Sequence, residues 1–125
     1  MCGVIRVLVV DDEPDVRDLI VRWLRRDGHD VLASGSGAGA LAAVEQHGMP
    51  DVALLDVAMP GMDGITLLTE LRRRDPGLAA MFVTALWTPA DMNRIRETGA
   101  DHLAKPFTVT VLGHAVRRLA PGAGQ

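Results

Sequence analysis

The sequence has one cysteine and no tyrosine, and its aromatic side chains make up only 3% of 125 residues. A single cysteine, Cys2, cannot close an internal disulfide, and its place near the terminus argues against a structural role. No apolar stretch approaches the roughly 20 residues that a bilayer-spanning helix needs, and there is no signal-peptide pattern. A cytoplasmic setting without membrane contact is therefore expected. An excess of positive charge is missing too: the formal net charge is −3, which gives no electrostatic reason for direct contact with nucleic acid. Lysine is almost absent. Lys105 is the only one, and arginine accounts for the rest of the 13 basic residues.

What is present is ordinary in bulk and ordered in detail. The length suits one domain, and 48% hydrophobic with 23% charged residues matches a globular protein. Strand-like and helix-like segments alternate from end to end, which predicts an α/β fold with a parallel sheet. Strands are expected near Val4–Val10, Asp30–Ala33, Asp51–Leu55, Ala79–Thr84 and Asp101–Ala104. The first helix follows from Pro14, with Val16, Leu19, Ile20, Trp23 and Leu24 spaced as one apolar stripe. Further helices are expected near Ala38–His47, after an N-cap at Asp63, after Thr88-Pro89, and over Val109–Leu119. The last of these has Val111, Leu112, Ala115, Val116 and Leu119 as its apolar face. Residues 1–120 form the domain, and 121–125 read as a tail or the start of a linker.

Four of the apolar runs end on residues that can do chemistry. Val7-Leu8-Val9-Val10 leads into Asp11-Asp12, Val52-Ala53-Leu54-Leu55 into Asp56, Met81-Phe82-Val83 into Thr84, and His102-Leu103-Ala104 into Lys105-Pro106. Doubly wound sheets bind ligands outside the carboxyl ends of their strands. There, carboxylates, a hydroxyl and an ammonium would share one crevice suited to a divalent cation and a phosphoryl group. Each motif alone has a plain alternative: a solvated helix start for Asp11-Asp12, a strand end before a turn for Asp56, an ordinary strand residue for Thr84. Together, clustered carboxylates favour a hard cation such as Mg²⁺, because like charges packed closely repel without one. A lysine ending an apolar strand must aim its ammonium at something, and a cis bond to Pro106 is compatible with X–Pro chemistry.

In this order, Asp11-Asp12, Asp56-x-x-Met59-Pro60-x-Met62-Asp63-Gly64, Thr84-Ala85 and Lys105-Pro106-Phe107 resemble the receiver domain of two-component response regulators. The resemblance spans about residues 4–120. It implies a flavodoxin-like, doubly wound sheet of five parallel strands in the order 2-1-3-4-5, flanked by five helices. It also implies that Asp56 accepts a phosphoryl group from the phosphohistidine of a sensor histidine kinase or phosphotransfer protein. Asp11, Asp12, Asp56 and the backbone carbonyl of Ala58 would hold Mg²⁺. Lys105 would contact the phosphoryl group, and Thr84 would move toward it and transmit the change. An effector domain is a further candidate partner, and Arg94, Arg96, Glu97 and Asp101 could pair across a homodimer of the fourth-helix face.

The chain departs from the family in two places. Gly99-Ala100-Asp101-His102-Leu103-Ala104-Lys105-Pro106 is one residue shorter than the usual pattern and lacks its aromatic residue. His102 falls in that position, as a switch or as a plain strand residue, and Trp87 is the nearest aromatic that could respond instead. At the positions two after Asp56 and two after Thr84, which tune hydrolysis in the family, stand the apolar Ala58 and Leu86. Slow self-dephosphorylation is the expectation. The runs Arg72-Arg73-Arg74 and Arg117-Arg118 read better as solvated helix ends than as docking patches.

Three functions compete. The first is a phosphorylatable receiver, a signalling module rather than a metabolic enzyme. The second is a receiver-like interaction module with a silent site. The third is a Mg²⁺-dependent phosphohydrolase with an aspartyl nucleophile, of the haloacid dehalogenase type, which would need a second aspartate where Ala58 stands. A flavin site is excluded by the acidic loop after the first strand.

Overall fold

Strand β1 (Arg6–Val10) lies in the middle of the sheet, and its last four residues are fully buried. A computed structural model describes residues 4–85 and 88–120; the expectations for Cys2, Leu86, Trp87 and the tail 121–125 fall outside them. The remaining elements are α1 (Pro14–Arg26), β2 (Asp30–Ser34), α2 (Gly37–His47), β3 (Val52–Leu55) and α3 (Gly64–Arg74). They are followed by β4 (Ala79–Thr84), α4 (Pro89–Glu97), β5 (Asp101–Ala104) and α5 (Val109–Leu119). All strand pairs are parallel, and the order is β2-β1-β3-β4-β5. The doubly wound flavodoxin-like architecture is thus present.

Strand periodicity splits the core into two layers. Leu8, Val10, Leu55 and Phe82 point to the side of Val44, Leu67, Leu68, Leu71 and Ile95, which belong to α2, α3 and α4. Val7, Val9, Leu54 and Met81 point to the side of Ile20, Leu24, Leu112 and Val116, on α1 and α5. Strands covered on both faces read as continuous apolar runs, as β1, β3 and β4 do.

Helix starts follow their caps. The side chains of Ser36, Asp63, Thr88 and Thr108 each accept a backbone N–H from the first turn that follows. The arginines at helix ends are tied within the chain: Arg74 to Glu45, Arg117 to Asp27 and Arg118 to Asp101. Arg72 donates to the carbonyls of Thr98 and Leu78.

Two apolar stripes lie on their expected faces apart from one exposed residue in each. In α1 the buried set is Ile20, Val21 and Leu24, while Leu19 is 49% exposed. In α5 it is Leu112, Gly113, Ala115 and Val116, while Val111 is 47% exposed. Where the two helices meet, a Cβ on Gly113 would stand 2.3 Å from Trp23 Cη2, so the indole ring occupies the place of a side chain. Strand boundaries also shift by a residue or two. Val4 is exposed and precedes the first paired residue, Arg6, and Asp51 accepts the Arg6 N–H with its side chain instead of extending β3.

Candidate functional site

Each strand-end residue is held by backbone pairing that continues one residue beyond its strand. The N–H of Asp11 donates to Ser34 O at 3.2 Å, that of Asp56 to Val10 O at 2.9 Å, and that of Lys105 to Thr84 O at 3.0 Å. The side chains therefore leave the sheet edge from rigid positions. Asp11, Asp56 and Thr84 are 2%, 5% and 0% exposed. Asp11 is fixed further by the Glu13 N–H on its Oδ1, while Arg17 donates to its backbone carbonyl.

Lys105 is the centre of the charge arrangement. Its Nζ lies 2.9 Å from Asp11 Oδ2, 3.1 Å from Glu13 Oε1 and 3.3 Å from Asp56 Oδ2. Burial works against its charge, but hydrogen bonding to Asp11 and the fields of Asp56 and Asp11 outweigh that and raise its pKa above the usual lysine value. At Asp56 the balance is reversed. Burial raises its carboxyl pKa, Lys105 offsets only part of this, and Asp11 adds to it. One cation shared by several carboxylates leaves the lysine over-supplied and the aspartate under-supplied.

The structure brings Asp11, Asp12, Asp56 and Lys105 together. One carboxylate oxygen from each of the three aspartates can be chosen so that all lie within 4.8 Å of one another. Hard oxygen donors in excess of the single ammonium fit a divalent cation of the Mg²⁺ type. Thr84 ends β4 beside this group, level with Ala104 of β5. Ala58 is exposed and lines a groove of about 380 Å³ with Met59, Asp63 and Arg94. The Lys105–Pro106 bond is cis.

The loop after Asp56 is shaped by Gly64. A Cβ there would fall 2.0 Å from the Asp56 carbonyl oxygen, and the Gly64 N–H donates to Val57 O at 3.0 Å. The start of α3 is thus pressed against the backbone that carries Asp56. Asp63 caps α3 through Oδ1 and accepts Arg94 of α4 on Oδ2 at 2.7 Å. Burial alone would raise its pKa, but the Arg94 and Thr66 hydrogen bonds lower it below the usual carboxylate value.

Residues expected at an interface between copies have other partners. Arg94 is paired with Asp63, and Asp101 with Arg118. His102 lies in β5, level with Phe82 of β4, with its side chain exposed. Sequence reasoning missed Glu13, whose carboxylate reaches Lys105, and Arg17. Position was the available signal: Glu13 follows directly on Asp11-Asp12.

A family model described as the response regulator receiver domain matches residues 7–117. A probable transcriptional regulatory protein, TcrX of Mycobacterium tuberculosis, is 35% identical over 96% of this chain and 51% of its own length. Sporulation initiation phosphotransferase F of Bacillus subtilis is 32% identical over 93% of this chain and 94% of its own. The chain spans about half the length of most of the similar regulators. Among solved structures, the Vibrio cholerae chemotaxis protein CheY4 superposes with a TM-score of 0.85 at 27% identity, covering 94% of this chain and 99% of that one.

Proposed function

The chain belongs to the response regulator receiver family of two-component systems, and from that membership we propose that residues 1–120 act as a phosphorylatable receiver with Asp56 as the acceptor. The observation that carries the reading is the nearly buried Asp56 carboxylate set against the ammonium of the chain's one lysine, with two further aspartates beside it. Phosphoryl transfer asks a protein mainly for positioning and charge neutralisation, and this edge supplies both.

In this reading an Asp56 Oδ forms the new bond to phosphorus as the bond from phosphorus to the donor's phosphohistidine nitrogen breaks. Lys105 transfers its hydrogen bonds from carboxylates to phosphoryl oxygens, where a compact point charge suits the geometry. Asp11, Asp12, Asp56 and the Ala58 carbonyl would hold Mg²⁺, which supplies further neutralisation of the phosphoryl oxygens. The Thr84 hydroxyl turns toward the phosphoryl group, and a gain of about −1.5 to −2 charges biases the surrounding loops. Ala58 and Leu86 offer no side chain to orient an attacking water, so the acyl phosphate decays slowly. Donors are a sensor histidine kinase or phosphotransfer protein. Output goes to an effector domain, as the length of the regulators suggests, or to a separate partner, as for the phosphotransferase. With Arg94 and Asp101 engaged within the chain, a homodimer through α4 would have to exchange those pairs.

The test is incubation with Mg²⁺ and acetyl phosphate followed by intact-mass measurement over time. One phosphoryl group is expected on the wild type, lost slowly, and none on Asp56→Asn. An unmodified wild type would overturn the reading in favour of a silent interaction module, and steady phosphoester turnover would favour a hydrolase.

A further inference from the structure

Glu13 occupies the N-cap position of α1, yet its side chain makes no capping hydrogen bond. Glutamate is a poor N-cap, and no backbone N–H of the first turn is satisfied by this side chain. It reaches 3.1 Å from Lys105 Nζ instead, across a sequence separation of 92 residues. An ammonium has three protons, and Asp11, Glu13 and Asp56 occupy three directions around this one.

The three carboxylates are not equivalent. Asp11 and Asp56 are almost wholly buried and belong to the cation and acceptor set, whereas the Glu13 side chain is 61% exposed and stands at the mouth. A phosphoryl group on Asp56 would bring its oxygens to the Asp56 side of Lys105 and would need one of the ammonium protons that Glu13 now engages. Glu13 is also the side chain of the three that can leave into water at little cost.

We propose that Glu13 is a positioning residue that holds Lys105 in a resting pose and competes with the incoming phosphoryl group for its ammonium, setting how readily Asp56 is modified. This rests on the receiver reading above. The competition is between an exposed charge and a phosphoryl group for one lysine, so the effect is moderate. Exposed pairs of this kind are worth up to about 1 kcal/mol, or roughly five-fold in rate.

The test compares wild type, Glu13→Gln and Asp15→Asn with Mg²⁺ and acetyl phosphate, together with titration by beryllofluoride as a phosphoryl mimic. Glu13→Gln keeps the side-chain length and removes the charge. Asp15→Asn removes a neighbouring exposed charge in the first turn of α1. Glu13→Gln is expected to raise the second-order phosphorylation rate constant about two- to five-fold and to tighten beryllofluoride binding by a similar factor. Its thermal midpoint should fall by no more than a few degrees, because no cap is lost and only an exposed ion pair is removed, and Asp15→Asn should leave both quantities near wild type. A Glu13→Gln rate equal to or below wild type overturns the proposal, as does an equal gain in Asp15→Asn, which would mean a general field effect. If the wild type itself takes up neither phosphoryl nor beryllofluoride, the receiver reading fails, and this proposal with it.

Discussion

At Asp56 a carboxylate has been drawn almost out of water next to Asp11, with Lys105 as the neutralising partner of both. Its raised pKa has a definite sign for stability. The group favours folding below the ordinary carboxylate pKa of 3.8, and that advantage is lost as pH rises through the higher folded value. Ionised Asp56 is therefore a net cost at neutral pH. Asp56→Asn should be more stable than wild type at pH 7, with the difference shrinking toward pH 3. Urea unfolding at both pH values checks this, and a less stable variant at pH 7 would contradict it. The residues that meet here were legible because each ends an apolar run. Glu13 was not, since its role depends on Lys105 folding back beside it from the far end of the chain.

At the scale of elements, the start of α3 links the acceptor loop to α4. Asp63 has two duties there, a cap through Oδ1 and an ion pair through Oδ2. The two can be separated. Asp63→Ala should lose about 1–2 kcal/mol, whereas Asp63→Asn, which keeps the cap, should lose under about 1 kcal/mol. The lowered pKa means that the Asp63 contribution is present above the ordinary carboxylate value and disappears as pH falls through the lower folded value. Thermal midpoints of the two variants at neutral and acid pH give the measurement, and equal losses would refute the division. The cap was readable from Asp63 preceding an apolar helix. The Arg94 pair was not, because it joins helices 31 residues apart whose relative placement no local pattern encodes. Leu19 and Val111 show the same limit: periodicity locates a stripe, but which residue at its edge is left exposed depends on the neighbouring elements.

Across the whole molecule, one sheet serves two apolar layers, and adjacent residues of β3 belong to different ones. Leu54 packs with the α1 and α5 side, Leu55 with the α2, α3 and α4 side. Leu54→Ala and Leu55→Ala should each cost about 2–5 kcal/mol. Because the layers share the central strands β1, β3 and β4, both variants should still unfold in a single transition. Coincident fluorescence and circular-dichroism denaturation curves would show this, and a biphasic curve in either variant would mean that the layers melt separately. The architecture was legible from alternation of strand and helix, and the strand order only through the family resemblance, since no pairing partner is written into a run of valines and leucines.

The scarcity of lysine has a consequence for the chemistry of the folded chain. Its single ε-amine is 12% exposed and kept protonated by three carboxylates. An acylating reagent needs the free base, so this amine is a poor nucleophile for as long as the crevice is assembled. Every event that loosens the crevice converts it into the one lysine side chain ready to react. The covalent labelling of this protein at lysine is thus a direct gauge of whether this crevice is intact.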